Sequence, residues 1–505
     1  MHHHQVSHFA APSYPTASFE SKIDLVNSFI AESIYSLPSG KKAMYRDQRA
    51  CWFVRSAARV MALFWASNLK RHRVDVGAFY NVAIDLLGRT IMMEDFNLWL
   101  SHRPRQFTFC QYPFLLSMGL KQSLLNEESK ALLQRNAQHA LASTMYHGRL
   151  VMPVFLLRVR RDHVMQDSIN QIASASQLDL RKQLKVQFSG EEGIDAGGLK
   201  KEWFLIISRE LFDPQFGMFT YDEESRLCWF NPATMESPDE YYLVGVLIGL
   251  AVLNCSVLAD IPLPLACYKK LLGIPVDLDD LAQFNPGLAR GLKQLLNYEE
   301  DDLEDVFCRT FVGEHEAWGE VVSTPLIKNG DKIVVTKENR QLYVDRLTSF
   351  ILTESIVNQF EHFKRGFDSV SRPSAALSLL RGEELELLIR GSIEELNIHD
   401  LRASTHHEGF STLDAHAVED FWDFFGKLAP ERQRKLLAFI TGSDRIPATG
   451  ISGVQMKLVH GKDATRLPQA RTCFNLLTLP TYPSREIFEE KMNRAIDESQ
   501  GFGLK

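Results

Sequence analysis

Apolar residues recur every three to four positions along most of the first 150 residues. In ARVMALFWASNLKRHR (58–73), for example, Val60, Leu63, Phe64 and Leu69 fall at helical spacing. The Lys and Arg closing this stretch suit a helix C-terminus, where cations meet the negative end of the backbone dipole. The pattern predicts a helical segment over 19–150, behind a loose Pro-, Ser- and Ala-rich lead-in over 1–18. From 151 to 390, helical periodicity mixes with short apolar runs that predict strands, such as LKVQF (184–188) and KIVV (332–335). The uncharged run YYLVGVLIGLAVLNCSVLA (241–259) approaches the ~20 residues a membrane span needs. Ser-Pro-Asp-Glu precedes it, no Lys or Arg flanks its start and no other stretch is as apolar, so it predicts a helix buried on all sides.

At Gly391-Ser392 the helical run ELELLIR stops, and a Gly just past a helix is an expected terminator. The residues that follow, 394–505, form a unit of domain size with an α/β pattern. Its first clear helix (430–440) opens on Pro430, closes before Gly442 and aligns Leu436, Leu437 and Ile440. Two predicted strands follow, VQMKLVH (454–460) and TCFNLLTL (472–479), and then a helix capped by Ser484 with Phe488, Met492 and Ile496 inward. The predicted fold is α+β and mostly helical. Cys473 falls where a loop enters a strand, a place with solvent access and firm backbone support.

Composition narrows the function. A net charge of -7 and a pI near 6.2 argue against a general nucleic-acid binder, which needs a basic surface to displace phosphate counterions. Seven scattered cysteines, with no C-x-x-C pair and no Cys/His spacing suited to zinc, support neither a disulfide framework nor a metal site. No cofactor is expected. The opening MHHHQVSH lacks the apolar core of a signal peptide, and a reducing compartment is expected, the cytoplasm first and the nucleus second. Gly197-Gly198 are followed by Leu-Lys-Lys rather than the G-K-[ST] of a phosphate loop, so the helix carrying Trp203, Phe204 and Ile207 is read as structural.

A lone cysteine is by default a small core residue, and six of the seven are read that way. Cys473 differs only if its setting is more than chance. A thiol attacks as its thiolate, and Arg471, Arg466, Thr472 and Asn475 supply cationic and polar neighbours that favour that form. The stretch LPQARTCFNLLTLP (467–480) resembles the active-site segment of HECT-type ubiquitin ligases, in which L-P-x-x-x-T-C-F-N-x-L-x-L-P surrounds a ubiquitin-carrying cysteine. Further segments resemble the family in the same order: LRVRRDHVMQDSINQI (157–172), FSGEEGIDAGGLKKEWF (188–204), KNGDKIVVTKENR (328–340), TGSDRIP (441–447) and the terminal GFGLK. The likeness covers about 155–505, with a fainter extension from about 90 through EDFNLWL and FTFCQYPFLL.

The resemblance implies a bilobal catalytic region: a large lobe over 151–390 that docks a ubiquitin-conjugating enzyme, a hinge at 391–393 and a small lobe over 394–505. It implies a thioester on Cys473, with Thr472 beside it, Gly391 and Ser392 as hinge and Phe502 in the transfer step. Positions matching the conjugating-enzyme groove are Leu288, Leu292, Tyr298, Phe307 and Tyr343, and ordinary core packing competes for each, most evenly for the leucines. The acidic run EEDDLED (299–305) is by default a solvated loop, which the resemblance sets beside that groove. Ubiquitin and substrate proteins are the other implied partners. One departure stands out: many relatives carry His where this chain has Arg471, which stays protonated and cannot act as a base; His460 is a nearby substitute, though by default it is read as a surface His. A ligase-like scaffold that forms no thioester and a cysteine hydrolase remain as alternatives.

Overall fold

A computed structural model describes residues 16–36, 48–71, 73–102, 106–147, 151–191, 198–254, 261–317, 319–412, 414–448 and 450–498. The chain divides into two compact units, Met1–Leu125 and Asn126–Lys505. In the first, α1 (Thr16–Tyr35) packs along α2 (Gln48–Arg71), followed by α3 (Val82–Asp85) and α4 (Arg89–Leu100). Ile23, Ile30, Val54, Ala58, Met61, Phe79 and Phe96 form its core. The helix over 58–71 is therefore present, but its phase differs from the simplest reading. Val60, Leu63 and Leu69 are exposed, and the inward face is Val54, Ala58, Met61 and Asn68. The division between units falls inside α5 (Met118–His147), some way before the boundary expected near 150.

The second unit begins with β1 (Val154–Val159), α6 (Val164–Ser174), α7 (Gln177–Leu180) and β2 (Gln183–Phe188), with β1 and β2 parallel. Then come α8 (Gly198–Leu211), the antiparallel pair β3 (Phe219–Asp222) and β4 (Leu227–Phe230), and α9 (Pro238–Leu253). On α8, Trp203, Phe204 and Ile207 are buried, and the Trp203 indole N–H donates to Ser168 Oγ at 3.0 Å.

The apolar run becomes α9, a 16-residue helix that starts cleanly because Ser237 Oγ accepts from the Asp239 N–H and Pro238 occupies the first turn. No described helix is long and apolar enough to cross a membrane. The helix is instead enclosed by its neighbours, and its closest approach is to α15 (Val357–Ser371), which follows α10 (Leu265–Leu271), α11 (Leu278–Phe284), α12 (Pro286–Asn297), α13 (Leu303–Phe307), the hairpin β5 (Val312–Ala317) and β6 (Glu320–Pro325), and α14 (Arg340–Leu352). A Cβ added at Gly245 would lie 1.9 Å from the Phe363 carbonyl, and one at Gly366 2.0 Å from that of Tyr242. Glycine on both sides is what lets the two backbones meet. KIVV is not a strand. Its start curls into a single tight turn, Gly330–Lys332, and Val334 makes only an isolated bridge to Thr310.

After α16 (Gly382–Arg390) come α17 (Ile398–Ser404), β7 (His406–Glu408), α18 (Ala415–Lys427), α19 (Pro430–Thr441), β8 (Lys457–Gly461), β9 (Gln469–Arg471), β10 (Leu476–Pro480) and α20 (Arg485–Glu498). The strands form one mixed sheet in the order β7-β8-β10-β9, parallel except for the β9–β10 pair. Phe421, Phe425, Leu436, Leu437, Ile440, Leu458, Leu477, Leu479 and Met492 make its core. Pro430, Gly442 and Ser484 bound their helices as predicted. The strand expected from 454 begins only at Lys457, because Gln455 adopts φ 48° and breaks the extended run. The architecture is the mostly helical α+β arrangement the sequence predicts.

Candidate active site

Arg471 pairs with Leu476 across the β9–β10 hairpin, and residues 472–475 make the turn between them. Thr472–Phe474 form one tight helical turn and Asn475 closes it in the left-handed region at φ 49°, a conformation Asn tolerates better than most residues. The backbone of Cys473 lies at the middle of this turn, and its side chain is outside the described set. Asn475 fixes the turn from both ends of its amide. Nδ2 donates to the Val454 carbonyl at 2.5 Å, while Oδ1 accepts from Lys201 Nζ, on α8, at 3.1 Å. Lys457 N–H donates to the Asn475 carbonyl at 2.8 Å, tying the turn to β8. Thr472 is half-buried against Gly442 at the end of α19, and Phe474 is 49% exposed beside Cys473. Sequence reasoning missed Lys201, whose only signal was a second Lys in the K-K-E-W-F stretch, and the apolar ring that Phe474 presents to solvent.

The cationic residues are unequal. Arg471 is exposed in β9, while Arg466 is paired with Asp463 at 3.2 Å. His460 stands away from the Cys473 turn. The parallel register sets it opposite Leu479, three strand residues beyond Leu476 or ~10 Å along β10, at the far end from the turn. There its Nε2 lies 3.1 Å from Thr481 Oγ1, whose hydroxyl donates to Asp414 Oδ1 at 2.9 Å, a half-buried structural network rather than a surface imidazole. Hydroxyl donors from Ser411 and Thr481 hold the Asp414 carboxyl below the usual carboxylate range.

At the connection between α16 and α17, Gly391 sits at φ 69°, and a Cβ there would lie 2.6 Å from the Ile446 carbonyl. Ser392 and Ile446 exchange both backbone hydrogen bonds, at 2.7 and 2.9 Å. On the other side Arg390 is held by Glu386 at 2.7 Å and the Leu263 carbonyl at 3.2 Å.

This geometry can be set against known proteins. The family model described as HECT-domain (ubiquitin-transferase) matches residues 205–505. The chain belongs to the HECT-domain family. Among similar HECT relatives are the probable E3 ubiquitin-protein ligase HECTD2 of Mus musculus, 40% identical over 90% of this chain and 61% of its own length, and that of Homo sapiens, 38% identical over 96% and 64%. The probable E3 ubiquitin-protein ligase mug30 of Schizosaccharomyces pombe is 36% identical over 100% of this chain and 65% of its own. The chain thus spans between three fifths and two thirds of these relatives' lengths, and the likeness reaches well ahead of the HECT match.

The remaining expected positions of the HECT region divide by burial. Tyr298 and Phe307 are half-buried and meet edge to face with ring centroids 5.3 Å apart, beside the exposed acids of 299–305. Leu288 is half-buried on α12. Leu292 and Tyr343 lie in the interior, Tyr343 packed on Phe311 at 5.4 Å, so in this structure they fill core. Phe502 and residues 192–197 of the glycine-rich signature lie outside the described residues. Of the other cysteines, Cys110, Cys228 and Cys267 are buried as expected, Cys308 is exposed, the Cys51 side chain and Cys255 are outside the described set. Among the described residues no His/Cys/Asp/Glu cluster could hold a metal ion.

Proposed function

We propose that this chain is the catalytic region of a ubiquitin-protein ligase acting in the cytoplasm, with the nucleus a second site of action. Residues 151–390 dock a ubiquitin-conjugating enzyme through Tyr298 and Phe307. The Cys473 thiolate then attacks the carbonyl of the conjugating enzyme's ubiquitin thioester. A new S–C bond forms, the old one breaks and the conjugating enzyme leaves as a thiolate. Because one thioester replaces another, the bond supplies little driving force, and catalysis rests on placing sulfur near carbonyl and on donors to the developing oxyanion. Thr472 and backbone N–H groups of the turn serve as those donors. In the second step a neutral substrate lysine attacks the Cys473 thioester: the isopeptide C–N bond forms, the S–C bond breaks, Cys473 leaves as the thiolate and the amine's surplus proton passes to solvent, with Phe502 aiding transfer. Gly391 provides the rotation that lets one cysteine serve two acceptors.

What supports this reading is the turn 472–475: a T-C-F-N segment pinned through Asn475 to Val454, β8 and α8 at a solvent-facing hairpin, in a chain of the HECT family. The test combines the chain with activating enzyme, conjugating enzyme, ubiquitin and ATP, followed by non-reducing mass analysis. A thiol-sensitive ubiquitin adduct that disappears in Cys473→Ser, or becomes a thiol-resistant oxyester, is expected. An adduct retained as a thioester in that variant, or none in the parent chain, would reject the proposal.

A further inference from the structure

A cavity of about 550 Å³ opens in the second unit between the α10–α11 connection, α14 and α15. Its lining includes the apolar Ile274, Pro275, Val276 and Leu278 with the Phe360 ring, and the polar Lys270 and Thr353.

Two adjacent lysines on α10 show what is unusual here. Lys269 Nζ is 2.7 Å from the buried carboxylate of Asp280, an ordinary satisfied ion pair. Lys270 has no carboxylate within ion-pair distance among the described residues. Its Nζ donates to Thr353 Oγ1 at 3.0 Å and sits 4.6 Å over the Phe360 ring. The two acids that also line the cavity are committed elsewhere. Asp277 accepts the Asp279 and Asp280 N–H groups at 3.0 and 3.2 Å, and Asp345 accepts from Gln341 at 2.9 Å. A half-buried ammonium without an anion is costly, and burial pulls the Lys270 pKa down accordingly. An ammonium without an ion-pair partner in the lining of an open cavity is a group that a bound anion would satisfy.

We propose that this cavity is a binding site for a carboxylate attached to an apolar group, either a small organic acid or the acidic side chain of a peptide next to an apolar residue. Lys270 supplies the cation. Thr353, which already accepts from Lys270, turns its own O–H toward the same carboxylate, and the apolar lining residues take the hydrocarbon part.

Calorimetry with 3-phenylpropionate, its amide and acetyl-Phe-Asp-amide tests this on the full chain. At least one carboxylate is expected to bind, at least tenfold more tightly than 3-phenylpropionamide and at least tenfold more weakly to Lys270→Gln. Which of the two binds tells the free acid from the peptide source. In the unmodified chain, the bound carboxylate is also expected to slow acylation of Lys270 by a dilute amine-reactive ester severalfold while leaving Lys269 unchanged, with both read by tandem mass analysis. That measurement stands whether or not the variant folds. No binding by either carboxylate, equal binding of the amide, or equal protection of both lysines would overturn the proposal.

Discussion

The α9–α15 pair and the 472–475 turn are held together by opposite means. Two helices meet backbone to backbone through Gly245, Gly249 and Gly366, with almost every α9 side chain buried and little polar chemistry involved. The turn has an exposed aromatic, a left-handed Asn and a few hydrogen bonds that reach to separate elements. Packing tolerates no added atom, whereas a polar turn loses only the bonds removed. The helix pair is therefore the less forgiving of the two, and the turn the one that substitution weakens one bond at a time.

The contrast can be broken most severely at the helix pair. Gly245→Ala is expected to cost on the order of 3 kcal/mol or more, since its Cβ would meet a backbone carbonyl that cannot swing aside. Gly291→Ala, in open space on α12, should instead gain ~0.5–1 kcal/mol, and denaturant midpoints of the two variants give the comparison. Next comes Asn475→Ala, expected to lose ~1–2 kcal/mol through the αL residue and the Val454 bond, and to slow Cys473 thioester formation in a single-turnover assay. Lys201→Ala should cost under ~1 kcal/mol, because its bond to Asn475 is exposed, yet slow the same step. If Asn475→Ala proves as damaging as Gly245→Ala, the turn belongs to the rigid scaffold and the distinction fails.

Cysteine labelling sharpens the comparison without mutation. Burial pushes the Cys228 thiol up to about 12 and raises Cys267 and Cys110 as well, so at pH 8 their thiolate fractions are negligible. Iodoacetamide should therefore modify exposed Cys308 while sparing these three in the folded chain, as peptide mapping would record. The smallest effect concerns Asp414. Its depressed carboxyl pKa contributes stability above the unfolded value, and this is lost as pH falls through the folded value. Asp414→Asn should flatten that acidic limb of the melting-temperature profile by lowering its neutral plateau slightly, and leave the acid end nearly unchanged.

Much of this contrast was already legible in the residues. A helix buried on every side leaves its mark at each position, so α9 could be read directly, and Pro430, Gly442 and Ser484 act locally at the ends they bound. Periodicity gives the period of α2 but not its phase, because apolar residues lie on both sides of that helix; Trp52, Phe53 and Leu63 are exposed together. KIVV had the composition of a strand but lacked a partner ladder, which only tertiary placement supplies. Cys473 stood out by its surrounding motif rather than by its physics. The Lys201–Asn475 bond joins residues 274 positions apart and could not be inferred from either neighbourhood. Nor could the burial of Leu292 and Tyr343, since an interface residue and a core residue share the same side-chain chemistry.

The double hydrogen bond between Ser392 and Ile446 has a geometric corollary. With Arg390 anchored on one side and Ser392 stitched down on the other, a single residue separates two fixed points. As long as both anchors hold, reorientation is confined to the φ and ψ of Gly391. Were Gly391 to act as the proposed hinge, its two torsions would carry the 472–475 turn over a surface of set radius instead of letting it wander on a tether, and the Lys201–Asn475 bond would have to part first.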